Sequence, residues 1–195
     1  MAGVNPRQRL LDAVIDHIAQ RGVSDLSLRE LAAAIGSSHR MLIHHFGGRE
    51  GLLVAVVQEV EARQRALLDT VVPPDPAASP GDAMRAWWKH ISHQALWANE
   101  RLFFELYGQA LQGRPGTTAL LDGIIDGWLE PAASIFRQLG FRDSDAAARL
   151  GIAVTRGLLL DLLATREVER VDAAMDVHIA ALEALMTLQA GRALG

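Results

Sequence analysis

Apolar positions recur every three or four residues along almost the whole chain, and no stretch alternates with period two over a useful length. From Arg7 to Gln20 the repeat is carried by Leu10, Leu11, Val14, Ile15 and Ile18, and Gly22 stops it. Ser27 with Glu30 three residues on predicts a capping box, in which each side chain serves the other residue's backbone amide. The helix it opens ends at Gly36. A third helix is predicted from Ser38 to Phe46, where Gly47 and Gly48 break it; a fourth carries Leu52, Leu53, Val56, Val57 and Val60 toward Thr70. The four prolines of "VVPPDPAASPGD", Val71 to Asp82, cannot continue a helix and read as a linker. Beyond it the periodicity predicts helices over 82–98, 100–112, 117–139, 143–166 and 172–190, with Pro131 expected to kink or split the third. The fold class is all-α, three short helices in front of a larger helical body.

The segment "LRELAAAIGSSHRMLIHHFGGRE", Leu28 to Glu50, has the register of a helix-turn-helix. Its fourth, eighth and fifteenth residues, Leu31, Ile35 and Leu42, are apolar and would pack one helix on the other. Its fifth, Ala32, is small where the second helix must cross closely. Its ninth, Gly36, accepts the positive φ of a sharp turn at least cost. The second helix can then enter a major groove, with Ser37, Ser38, His39, Arg40, Met41 and His44 outward and Leu42 and Phe46 toward the core. Arg40 suits guanine, because a guanidinium can bridge two acceptors on one base edge.

Together with the preceding amphipathic helix, the capping box and the tail "HHFGGREGLL", this segment resembles the N-terminal domain of the TetR family of transcriptional regulators, over roughly residues 7–60. That family usually has Leu-Tyr-x-His-Phe-x-x-Lys-x-x-Leu where this chain runs from Leu42 to Leu52. The resemblance implies that Ser27 and Arg29 meet phosphate or groove, and that Ser38, His39, Arg40 and Met41 read bases. It also implies that His45 is the common histidine of the recognition helix and that Arg49 replaces a phosphate-binding lysine. Ile43 departs from the pattern: it stands where a tyrosine normally reaches a phosphate, so one positioning contact is missing.

The resemblance further implies a helix-turn-helix DNA-binding domain over residues 1–50 and a ligand-binding and dimerisation bundle over 51–195. In the latter, 51–70 is a connecting helix and 71–82 the linker. The expected function is a DNA-binding regulator, a repressor released from a palindromic operator by an apolar or aromatic small molecule. The alternative is a helical small-molecule-binding or interaction protein with weak or lost DNA binding.

Composition narrows the rest. The chain has 195 residues, formal net charge -4 and no cysteine. Disulfides, thiolate metal sites and cysteine nucleophiles are excluded. The acidity argues against a general polyanion binder but leaves room for a small basic face. Residues 1–50 hold six arginines against Asp12, Asp16, Asp25, Glu30 and Glu50. No apolar run is long enough for a membrane span and no secretory leader is evident, so a cytoplasmic protein without a membrane partner is expected. No dinucleotide fingerprint, nucleophile elbow, Walker loop or metalloprotease helix occurs, so neither catalysis nor a cofactor is expected. His39, His44 and His45 lack metal-ligand spacing; His90 and His93, three apart on one predicted helix, fit better but have no third ligand.

In the body, Met84, Trp88, Ile91 and Ala95 form one stripe and Trp87, His90, Gln94 and Trp97 another, with Phe103, Phe104 and Tyr107 on the next helix. Two readings stand: core aromatics, or an aromatic-lined cavity for an unknown effector. Near the C-terminus Leu150, Val154, Gly157, Leu158 and Asp161 share a strip with Ala147 and Gly151 beside it, and Met175, Ile179, Leu182, Leu185 and Met186 add to it. An internal helical hairpin would explain these residues; so would a homodimer interface, the arrangement that the resemblance implies.

Overall fold

The computed structural model describes residues 5–21, 27–71 and 79–193, and every regular element among them is helical. The α-helices are α1 (Pro6–Arg21), α2 (Leu28–Ala34), α3 (His39–Phe46), α4 (Arg49–Val71), α5 (Pro80–Ile91), α6 (Trp97–Leu111), α7 (Asp126–Gln138), α8 (Ser144–Thr165) and α9 (Val168–Ala193). Short 3-10 turns cover Gln94–Leu96 and Thr118–Leu120. Gly22 and residues 72–78 of the expected linker lie outside the described residues.

Small polar side chains set four of the helix starts by accepting an otherwise orphaned amide. Ser27, Ser38, Ser79 and Asp143 do this for α2, α3, α5 and α8. Because Ser79 caps a helix with Pro80 in its first turn, the end of the proline-rich segment is helical; proline is tolerated there, where its missing N–H would be unpaired anyway.

Three of the expected helix boundaries move. The segment expected as one helix over 82–98 ends at Ile91, and Trp97 opens α6, so Gln94 and Trp97 do not continue a stripe along α5. His90 and His93 are likewise not on one helix face. The segment expected over 117–139 breaks at Gly123 (φ +72°), and α7 runs on through Pro131. Pro131 lies inside α7, where its missing N–H leaves the carbonyl of Gly127 without its helical partner. α8 and α9 are separated only by Arg166 and Glu167, Arg166 taking a left-handed conformation (φ 62°).

The described chain forms two compact units: residues up to Arg63 with Gln94–Asp122, and Gln64–His93 with Gly123 onward. In the first, Leu11, Val14, Ile15 and Ile18 of α1, Leu31 and Ala32 of α2, Leu42 of α3 and Leu52 and Val56 of α4 are all buried. Each such aliphatic side chain contributes about 1.5–3 kcal/mol when fully removed from water. α6 packs against α1 in this unit, with Leu102, Phe103 and Leu106 buried. The grouping differs from the expected division at residue 50, because α6 joins the N-terminal helices.

In the second unit α5 lies antiparallel on α9. A Cβ on Gly81 would fall 2.1 Å from the Glu183 carboxylate, the Arg85 Nε donates to Asp176 at 3.0 Å, and the Trp88 Nε1–H donates to Asp172 at 2.6 Å. Phe136, Phe141, Ala148 and Leu182 make a core between α7, α8 and α9, with Met84 and Met186 packed on it.

Candidate nucleic-acid interface

The α2–turn–α3 unit is built as its spacing predicted. The Ser27 hydroxyl accepts the Glu30 N–H, and the Glu30 carboxylate accepts the Ser27 N–H at 2.8 Å and its O–H at 2.7 Å. Those hydrogen bonds hold the Glu30 carboxyl below its ordinary pKa. At the other end the Ser37 N–H donates to Ala32 O at 2.8 Å and the Gly36 N–H to Ala33 O at 3.1 Å, with Gly36 at φ +67°. This pair of bonds satisfies the last carbonyls of α2 and reverses the chain. α3 then starts at Ser38, whose hydroxyl accepts the Met41 N–H at 3.3 Å.

Leu42 is fully buried and Phe46 nearly so, which fixes the rotation of α3. At 100° per residue, the opposite arc carries Arg40, Met41 and His44, all exposed, while His39, expected outward, is half-buried on the same side as Phe46. α3 has no carboxylate, and Arg40 pairs with none among the described residues. Arg29 is exposed; Ser37 and Arg49 are half-buried. The end of α3 is held tightly to α4: a Cβ on Gly51 would come within 2.1 Å of the Phe46 carbonyl oxygen, a backbone clash that only glycine avoids.

Two of the expected contact residues are turned elsewhere. The hydroxyl hydrogen of Ser27 is engaged by Glu30, which makes Ser27 a cap rather than a ready donor to phosphate. The buried Nε2 of His45 has no partner among the described groups, and its ring lies 4.9 Å from that of His44. That nitrogen does not face a groove. Among the described residues no group of three or more histidines or carboxylates is placed to hold a metal.

The expected effector residues divide between the units. Met84, Trp88 and Ile91 belong to the core of the second unit, and Trp88 is tied to Asp172, so a structural role explains them. Trp87 is half-buried, 6.0 Å from Trp128 and 5.9 Å from the exposed His90, and the guanidinium of Arg65 covers Trp128 at 5.6 Å. Gln94, Trp97, Phe103, Phe104 and Tyr107 are in the first unit, where Phe103 stacks on Tyr107 at 5.6 Å.

The expected interface is corrected on α9. Met175, Ile179 and Leu182 are buried inside the chain and Met186 packs on the same core, so they do not face outward, whereas Leu185 is exposed. The opposite face of α9 is exposed instead: Val177, Ala181, Ala184 and Leu188 recur at helical spacing, with Val177 71% exposed. On α8, Leu150, Gly157 and Asp161 are exposed as expected and Val154 and Leu158 half-buried; Ala153, Leu160 and Ala164 complete a small-residue stripe.

Residues 10–56 match the family model for bacterial regulatory proteins of the tetR family. This segment is the DNA-binding domain of the TetR family. The chain is 28% identical over 170 residues, 68% of this chain and 86% of the relative, to the HTH-type transcriptional regulator BetI of Klebsiella pneumoniae. Its N-terminal part is 37% identical over 60 residues, about a third of each chain, to the HTH-type transcriptional repressor AcnR of Corynebacterium efficiens. A transcriptional regulator from Rhodococcus sp. Rha1 shares the fold with TM-score 0.72 and 20% identity, covering 91% of this chain and 95% of that one.

The protein is therefore a helix-turn-helix transcriptional regulator and not an enzyme. No described helix is long and apolar enough to cross a membrane. The departure of its DNA-binding segment from the family's usual pattern is Ile43, which is 44% exposed on α3. Ile43→Tyr is expected to raise affinity for every duplex by a similar factor, roughly fivefold, without changing base preference, because a hydroxyl to phosphate positions rather than reads. Titration of a specific and a random duplex with both proteins checks this; a changed consensus would place position 43 at a base.

Proposed function

We propose that this regulator is a dimeric repressor that holds a palindromic operator through α3 and releases it when an apolar or aromatic small molecule binds the helical body. The observation that carries the DNA part is the outward arc of α3: Arg40, Met41 and His44 lie exposed over a helix whose rotation is fixed by Leu42 and Phe46. Arg29, Ser37 and Ser38 flank that arc, and Arg49 starts the next helix. Ser38 keeps its hydroxyl hydrogen available for a phosphate oxygen, since its cap uses only a lone pair.

The exposed apolar stripes of α8 and α9 support dimerisation. A contiguous apolar face of this kind is unfavourable in water and is best covered by the same face of a second copy. A two-fold dimer presents two recognition helices to successive grooves about 34–36 Å apart, and so calls for a palindromic site.

The Trp87–Trp128 pair with His90 and Arg65 beside it supports an effector with an aromatic body and an acidic group, since flat rings stack and the two basic side chains would meet a carboxylate. Within the first unit α6 packs on α1, and a Cβ on Gly116 would come within 3.0 Å of Glu50 in the first turn of α4. An effector that binds one conformation of the protein better than another would shift the population of DNA-competent dimers.

Selection of bound sequences from random duplex DNA, at two salt concentrations, tests the reading. A palindromic consensus whose binding falls with salt is expected. A folded, dimeric sample that enriches nothing would leave a small-molecule-binding protein without DNA binding.

A further inference from the structure

Arg7 belongs to none of the contact positions carried over by resemblance, yet the structure sets its guanidinium against the recognition helix. Its Cζ is 5.0 Å from the centre of the Phe46 ring, on the last residue of α3. The backbone beneath it is fixed: Pro6 opens α1, and the Arg7 N–H donates to the Asn5 Oδ1 at 3.0 Å. The first turn of α1 has no acid, and Arg7 has no carboxylate partner among the described residues. The nearby Asp12 is taken up by Arg63 and Gln8. An exposed arginine thus lies beside the Phe46 ring with no described carboxylate against it.

From these contacts we infer that Arg7 is a phosphate-binding residue of the DNA interface, gripping a backbone oxygen of duplex DNA beside the end of α3. This rests on the reading of α3 as the DNA-docking helix. Three features carry it. Arg7 is exposed beside the Phe46 ring, so its N–H groups can turn to an oxyanion with the fork geometry that suits phosphate. The site lies at the C-terminal end of α3, about 10 Å along the axis from the Ser38–Met41 end that reaches base edges, where a docked helix climbs back to the sugar-phosphate wall. The same corner carries Gly47, Gly48 and Arg49, and Gly51 lets α4 close on the Phe46 carbonyl, so Arg7 and Arg49 approach it from two different helices.

The role is separable from a purely structural one, in which Arg7 only covers the Phe46 ring. Each protomer's phosphate contact adds about 0.9 to the slope of log affinity against log salt, so a dimer that loses two loses about 1.8. Between 50 and 200 mM salt, the wild-type advantage over Arg7→Ala should then shrink about twelvefold. The measurement uses the full-length protein with the duplex recovered by the selection above and a random-sequence duplex, for wild type, Arg7→Ala and Arg7→Lys. The expected result is a shallower slope in Arg7→Ala on both duplexes, the slope restored by Arg7→Lys, and an unchanged consensus. An affinity loss of the same size at every salt, with the wild-type slope, would make Arg7 a prop for Phe46 and overturn the inference. A change of preference at one base would overturn it too, by making Arg7 a reader. A wild-type protein that binds no duplex at all would instead remove the reading of α3, and this inference with it.

Discussion

Arg40→Ala is expected to weaken operator binding by roughly 1–3 kcal/mol per half-site and to relax preference at one base in each half. The expectation comes from where the chain puts this side chain. Leu42 and Phe46 bury one side of α3, and Arg40 leaves the opposite side two residues after the N-cap, in the first turn, which enters deepest into a groove. No carboxylate neutralises it among the described residues. A guanidinium so placed can bond two acceptors of guanine, and its removal leaves those acceptors to water. Because Arg40 is exposed in the free protein, thermal unfolding should hardly change. Repeating the sequence selection with the variant reads out the assignment. If all sequences weaken alike, Arg40 holds a phosphate and base reading passes to Met41 and His44. Met41, 39% exposed, would then be matched with the methyl group of thymine, and replacing thymine by uracil in the selected site would test that contact by removing one methyl.

The helix-turn-helix was legible in the sequence because every feature of it is local. A serine and a glutamate three residues apart make the capping box, Gly36 makes the turn, and Leu31 and Leu42 face each other at a spacing set by helix geometry alone. What was not legible depended on packing between distant segments. α5 was read as running to residue 98, since nothing in "HISHQALW" forbids a helix as proline would; the turn after Ile91 has no local signature. Arg7 carries no local signature beyond a charge at a helix start, and only the approach of α1 to α3 sets it beside a ring.

α9 shows the same limit more sharply. Its sequence is apolar on two faces: Met175, Ile179, Leu182 and Met186 on one, Val177, Ala181, Ala184 and Leu188 on the other. Periodicity establishes that both stripes exist and is silent on which one meets α5 and α7. The larger side chains went to the protomer core, where volume fills best, and the face with the small residues was left outside. Small residues at helical spacing let another helix approach closely, so the outer stripe fits a partner helix better than the one first chosen.

Charge placed on that outer stripe should therefore separate assembly from folding. Val177→Glu together with Leu160→Glu is expected to give a folded monomer: both positions are exposed in the protomer, so helix content should persist. In a dimer each new carboxylate would be buried without a partner, a cost of several kcal/mol that the interface must absorb twice by symmetry. Sedimentation should show the mass halved, and the unfolding midpoint should lose the dependence on protein concentration that a dimer has. Operator affinity should fall by about 10²-fold or more, because two half-sites joined in one molecule act as a linked pair and a monomer has only one. Met175→Glu supplies the contrast. It buries a charge inside the protomer and should unfold the chain, whereas the outer-face variant should not. If the Val177→Glu, Leu160→Glu protein stays dimeric and holds the palindrome as tightly as wild type, the two chains meet through some other surface, and the stripes on α8 and α9 must be covered by something else.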